Sequence, residues 1–360
     1  MKIANPLPMR KCTSMLAVVF NIIFPCCFLF GLVWTLIDGQ KKSETPSGQD
    51  GQDSSVCTGD LLDQRHYHYE KETDGSYRFT SDQSGSCRLV QYTTDRVVSC
   101  IDSLHYAKQL ASNGSSNSPL FFIFLGDSRV RQQYINFVRL IPDYDHEMHP
   151  MRDMYKFHGE VEIRSNILRL RMAFKWRPFV DDNVTEAVHR WVTSDPTERP
   201  HVVFLGMALH HMKPINGTNH QIYQKKLKEL APELGRLANV THVIWLNQYS
   251  IDETFKTGAG QLRYHTEKLH NYNKAARRVF RNENKHIRIW DSKDPLVDEY
   301  IRSCFVLKRN EVLHPAKRPY LFQETFYENC RDSIHTGSSA LLLATNLFYN
   351  DICNNAMNFF

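Results

Sequence analysis

Four short apolar runs, residues 120–125, 202–205, 243–246 and 287–290, constrain this chain more than any other feature. The first three are apolar at every position, the fourth is interrupted by Arg288, and all are too short for a buried helix, the pattern of a strand covered on both faces. Helical patterns lie between them. Val130, Tyr134, Phe137, Val138 and Ile141 form a one-sided stripe. Tyr223, Leu227, Leu230, Leu234 and Leu237 form a second, with Pro232 expected to kink it. Leu269, Tyr272, Ala276 and Val279 form a third. Strand and helix signals in alternation predict a doubly wound α/β domain around a central parallel sheet. Ligands in such sheets sit beyond the carboxyl ends of the strands. Chemistry is therefore expected just after each apolar run.

After the first run the chain reads Gly126, Asp127, Ser128, Arg129. Glycine permits a tight turn, and a serine opening the next helix exposes its hydroxyl at the sheet edge. There the unpaired N–H groups and the helix dipole favour negative charge. That suits a nucleophile whose reaction generates an oxyanion, although Asp or Ser at a helix start also serves as a plain N-cap. Near the other end of the chain stand Asp332 and His335, directly before a helical run. Histidine has the pKa to deprotonate a serine, and a carboxylate three residues earlier holds its tautomer. Ser128, His335 and Asp332 are thus the expected catalytic triad. Gly206 and Asn247, which follow the second and third runs, are the expected oxyanion donors, with Gln248 the alternative if the register shifts by one. Arg129 is the expected substrate contact, with Arg131 behind it, and Trp176 is a candidate stacking surface. His210 and His211 are read as surface residues. No metal is expected.

These blocks resemble those of the SGNH (GDSL-like) hydrolase superfamily. More closely, residues 57–353 are similar to the lumenal catalytic domain of the eukaryotic sialate O-acetyltransferases. The similarity is carried by Ser86, Cys87 and Cys100, the stretch Gly126 to Gln132, Trp176 to Pro178, Ala231 and Pro232, Tyr272, Asn273, Ala275 and Ala276, and the final Asp332 and His335. It departs at Trp245, where the superfamily usually carries glycine, and in lacking the multi-pass membrane region. The resemblance implies a three-layer α/β/α fold of SGNH type. It also implies transfer of acetyl from acetyl-CoA through an acetyl-serine to a hydroxyl of sialic acid, free or CMP-linked. An O-acetyl esterase acting on acetylated glycans and a non-catalytic glycan-binding protein are the alternatives.

Residues 15–37 carry no charge and reach about 34 Å as a helix, enough to cross a bilayer. Lys2, Arg10 and Lys11 before them keep a short N-terminus, residues 1–14, in the cytosol. The expected organisation is that N-terminus, a transmembrane signal-anchor over 15–37, a flexible polar stalk over 38–56 and a lumenal catalytic domain over 57–360. Six cysteines beyond the anchor fit disulfides, among 15 pairings. Asn113, Asn183, Asn216 and Asn239 begin glycosylation sequons, as expected of a glycoprotein. With the resemblance, these features imply a single-pass type II Golgi membrane protein. A separate multi-pass partner delivering acetyl groups is a further possibility that the resemblance raises. A net charge of +5 without a long basic block argues against nucleic acid.

Overall fold

The structure is a computed structural model. It describes residues 55–356 except 75, 83–84, 115–116, 151–158, 214–219, 254–263, 310–329 and 331–333. The chain from Ser54 onward forms one unit.

Three antiparallel strands come first: β1 (Tyr67–Lys71), β2 (Tyr77–Ser81) and β3 (Gly85–Leu89), none of which the apolar-run pattern predicts. Helix α1 (Thr94–Ala111) leads to β4 (Leu120–Gly126), buried along its whole length, and then to α2 (Ser128–Val138). There follow β5 (Glu147–His149), β6 (Val161–Ser165), β7 (Leu170–Trp176), α3 (Asp182–Thr193) and β8 (Val202–Gly206). The chain continues through α4 (His220–Leu237), β9 (His242–Leu246), α5 (Thr266–Glu283), β10 (Arg288–Trp290), α6 (Asp294–Arg309) and α7 (Ser338–Cys353). Helix α4 runs continuously through Pro232.

All four apolar runs are strands of one sheet, ordered β10-β9-β8-β4-β7-β6-β5. The sheet is mixed, not wholly parallel: β10, β9, β8, β4 and β7 run parallel, whereas β6 and β5 add antiparallel. The alternation of side chains along β4 divides the core. Phe122 and Phe124 face a layer with Tyr134 and Phe137 of α2 and Phe348 and Tyr349 of α7. Ile123 and Leu125 face the other layer, with Val184, Tyr223, Leu234 and Phe280 of α3, α4 and α5. The result is helices on both faces of the sheet.

The cysteines pair Cys57–Cys87, Cys100–Cys353 and Cys304–Cys330. The second ties α1 to α7 across 253 residues, which removes much loop entropy from the unfolded chain.

Among the described residues no helix is long and apolar enough to cross a membrane. The structure therefore supplies no N-terminal transmembrane helix, and the anchored type II Golgi placement and membrane-bound partner lose their structural basis. Residues 15–37, from which they were read, lie outside the described residues.

At the carboxyl end of the sheet two glycines meet. A Cβ on Gly126 would lie 2.2 Å from the Gly206 carbonyl oxygen and 2.5 Å from Val130 Cγ2. A Cβ on Gly206 would lie 2.9 Å from the Leu246 oxygen. Only bare backbone lets β4, β8 and α2 approach this closely. Gly126→Ala should cost about 3 kcal/mol or more, because backbone must move to admit the methyl group, and Gly206→Ala should cost less. Urea unfolding of both variants measures this. Wild-type stability in Gly126→Ala would show the contact to be soft.

Candidate active site

Asp127 follows β4 and caps α2. Its Oδ1 accepts the Arg129 N–H at 3.0 Å, and its own N–H donates to the Gly206 carbonyl at 3.3 Å. Burial pushes the Asp127 carboxyl up, opposed chiefly by the Arg129 guanidinium and the cap bond. The cap sets Ser128 at the first position of the helix, where N–H groups have no partner within the helix.

Ser128 Oγ lies 2.7 Å from His335 Nε2, within the reach a general base requires. The two residues are 207 apart in sequence. Their exposures are 8% and 9%, so the reacting atoms are largely shielded from bulk water. Asp332, expected to orient His335, lies outside the described residues, as does Asn216. The sequon asparagines Asn113, Asn183 and Asn239 are exposed.

Arg129 is not free to meet substrate as expected, because its guanidinium is spent inside the protein. Nε and Nη2 both donate to the Ile334 carbonyl, at 3.0 and 2.7 Å. Nη1 donates to the Tyr249 carbonyl, and the group lies 3.9 Å over the Tyr249 ring. Arg131 is also buried, 5.9 Å from the Trp176 ring. Trp176 ends β7 beside Gly126 and is only partly covered, with His210 edge-on at 5.7 Å. Of the expected substrate contacts, Trp176 is the one whose placement at the sheet edge suits that role.

The Asn247 amide donates to the Asp291 carboxylate, which also receives Arg65 and Arg277. One amide hydrogen is thereby taken, leaving a single N–H for an oxyanion. Gln248 is fixed through its backbone: its N–H donates to Asn273 Oδ1 at 2.8 Å, and Asn273 Nδ2 donates back to its carbonyl at 2.6 Å. Asn273 thus holds the turn after β9. The sequence pattern around Tyr272 and Asn273 marked this segment without showing what it does.

Two residues carry roles that periodicity does not reveal. Tyr249 OH donates to Gln132 Oε1 at 2.6 Å, and Gln132 Nε2 donates to the Thr336 carbonyl at 2.9 Å. His211, read as a surface residue, is instead buried. Its Nε2 accepts the Val180 N–H at 2.8 Å, and it packs against Phe179 and Tyr223. A cavity of about 750 Å³ lies at the opposite, amino end of the strands, lined by Pro200, His201, His242 and Arg288 among others. Among the cations lining it, Arg288 is held by Asp60 and Asp351.

No family model matches the chain. Among curated proteins it is 24% identical over 237 residues to N-acetylneuraminate (7)9-O-acetyltransferase of Danio rerio, covering 63% of this chain and 27% of that protein. The chain thus spans about a quarter of the length of this relative. Among solved structures, a peptidoglycan O-acetylesterase matches at TM-score 0.40 and 7% identity, covering 75% of this chain and 99% of that one. A putative GDSL-like lipase from Parabacteroides merdae matches at 0.38 and 10%, covering 68% and 97%. A catalytic mutant of an acetylxylan esterase from Geobacillus stearothermophilus matches at 0.35 and 12%, covering 65% and 94%.

Burial pushes His211 down to about 4. The unfolded chain takes up a proton near pH 6.5, whereas the folded one refuses it until about pH 4. Stability is therefore lost as pH falls through that window. Between pH 7 and pH 5 the loss from this group should be about 2 kcal/mol. His211→Gln keeps an acceptor for Val180 and should flatten the decline in urea midpoints over that range. An unchanged decline would assign the acid sensitivity elsewhere.

Proposed function

We propose that this chain is a serine O-acyltransferase of SGNH type that moves acetyl from acetyl-CoA to a hydroxyl of sialic acid, free or CMP-linked. The observation that carries the reading is the 2.7 Å contact between Ser128 Oγ and His335 Nε2, at the carboxyl edge of a parallel array. A buried hydroxyl bonded to an imidazole is the arrangement that makes serine nucleophilic at neutral pH. The name of the Danio rerio relative supports the choice of acetyl group and acceptor.

In the first step His335 takes the Ser128 proton as Oγ attacks the thioester carbonyl. The Ser128 and Gly206 N–H groups and the remaining Asn247 N–H are the donors assigned to the oxyanion, each worth about 3 kcal/mol of barrier when well aimed. Collapse of the tetrahedral intermediate breaks the C–S bond, and His335 returns the proton to the departing CoA thiolate. In the second step His335 takes a proton from a sugar hydroxyl, which attacks the acetyl-serine. Collapse then releases the O-acetyl sugar, and the proton returns to Ser128. Asp332 is assigned to orient the imidazole. The half-covered Trp176 is assigned to the apolar face of the acceptor ring, since sugar C–H groups pack well on an aromatic face.

Water in place of the sugar hydroxyl would make the same site an O-acetyl esterase. The low exposure of Ser128 and His335 favours transfer, because an acyl-enzyme shielded from water survives until an acceptor arrives.

Incubating the purified chain with labelled acetyl-CoA should yield an acetyl group on Ser128 that passes to added sialate. Ser128→Ala should lower turnover at least about 10⁴-fold. Acetyl-enzyme that decays at one rate with or without acceptor would favour the esterase. If no acetyl-enzyme forms and Ser128→Ala changes nothing, the site is not catalytic.

A further inference from the structure

His335 sits on a segment without helix or strand, yet its ring must hold a hydroxyl within a few tenths of an ångström. The backbone on both sides of it is fastened to the helix that carries the nucleophile. Before it, the Ile334 carbonyl receives Nε and Nη2 of Arg129 at 3.0 and 2.7 Å. After it, the Thr336 carbonyl receives Gln132 Nε2 at 2.9 Å, and the Thr336 N–H points to Tyr249 OH at 3.5 Å.

These fasteners are themselves joined. Tyr249 OH donates to Gln132 Oε1 at 2.6 Å, and the Tyr249 carbonyl accepts Arg129 Nη1. The Arg129 guanidinium lies 3.9 Å over the Tyr249 ring. A closed frame results: Arg129 to Ile334, Thr336 to Gln132, Gln132 to Tyr249 and Tyr249 back to Arg129. All of its members except the partly covered Ile334 are buried.

We propose that Arg129, Gln132 and Tyr249 are positioning residues that set the His335 imidazole against Ser128. The proposal rests on the reading of Ser128 as nucleophile and His335 as its base. Ser128, Arg129 and Gln132 occupy positions i, i+1 and i+4 of one helix, so nucleophile and fasteners move as a rigid set. Any displacement of α2 carries the base along with the hydroxyl. A misplacement of about 1 Å at a reacting centre can cost roughly 10²-fold in rate.

Three conservative variants test this in the full chain: Tyr249→Phe, Gln132→Met and Arg129→Lys. Each keeps volume while removing one set of bonds. Turnover, KM for acetyl-CoA, the pH profile and the rate of Ser128 labelling by a fluorophosphonate are measured beside the Tm. Expected for Tyr249→Phe and Gln132→Met is a fall in kcat of about 10- to 100-fold with KM within about 2-fold. Labelling of Ser128 should slow in parallel. The residual rate should climb with pH beyond the wild-type plateau, as hydroxide replaces an ill-placed imidazole. Arg129→Lys should show the largest loss, since one ammonium cannot reach the Ile334 and Tyr249 carbonyls with the same geometry. A purely structural role predicts activity lower only in proportion to the folded fraction, with the wild-type pH profile and labelling rate per folded molecule; that result overturns the proposal. If the wild-type protein itself is not labelled at Ser128, the nucleophile assignment fails and the positioning role falls with it.

Discussion

Helix α2 has no exposed face. All eleven residues from Ser128 to Val138 are buried, and five of them are Arg129, Arg131, Gln132, Gln133 and Asn136. A polar side chain taken from water without a partner costs several kcal/mol. The helix is tolerable only because the surroundings supply acceptors. The Ile334, Thr336 and Tyr249 carbonyls and the Thr345 hydroxyl meet that need for Arg129, Gln132 and Gln133. Those partners come from far along the chain, so satisfying the helix draws the carboxyl-terminal segment across the end of the sheet. The pairing of Ser128 with His335 follows from the same demand.

The second constraint is closeness. Gly126 and Gly206 sit in register on adjacent strands, and Val130 of α2 packs where side chains would otherwise stand. This close seat brings the start of α2 down to the strand ends. It also sets the Asp127 N–H against the Gly206 carbonyl and its carboxylate against the Arg129 N–H. Tight packing and the geometry of the candidate site are here the same set of contacts. Charge follows suit: Asp127 and Asp294 both interact with Arg129, and Lys293 is held by Asp294 and the Trp290 carbonyl. A buried guanidinium beside buried carboxylates is sustained by such compensation.

Much of this was legible beforehand. Consecutive apolar residues at 120–125, 202–205 and 243–246 became β4, β8 and β9, because a strand buried on both faces needs apolar side chains on both, and the run at 287–290 became β10 although Arg288 interrupts it. The turn at Gly126 and the stripe of Val130, Tyr134 and Phe137 placed Ser128 at a helix start. Strands β6 and β7 were missed, since Glu162, Arg164, Arg171 and Lys175 interrupt their apolar residues. In the fold, Arg164 and Arg171 pair with Glu162 across the two strands or along one of them. His211 was misread for a related reason: a lone histidine carries no periodic signal, and its burial depends on Phe179, Val180 and Tyr223.

The sequence by itself determined the strands β4, β8, β9 and β10 and the apolar stripes of α2, α4 and α5, and it marked Ser128 and His335 as candidates, because these depend on residue type, local pattern and the resemblance it carries. Only the tertiary structure decided what Arg129, Gln132, Tyr249 and Asn247 do. A long polar side chain in a sequence can face solvent, substrate or protein with equal propriety. Which of these it meets is fixed by backbone carbonyls and carboxylates that folding brings from elsewhere in the chain, and no local pattern encodes their arrival.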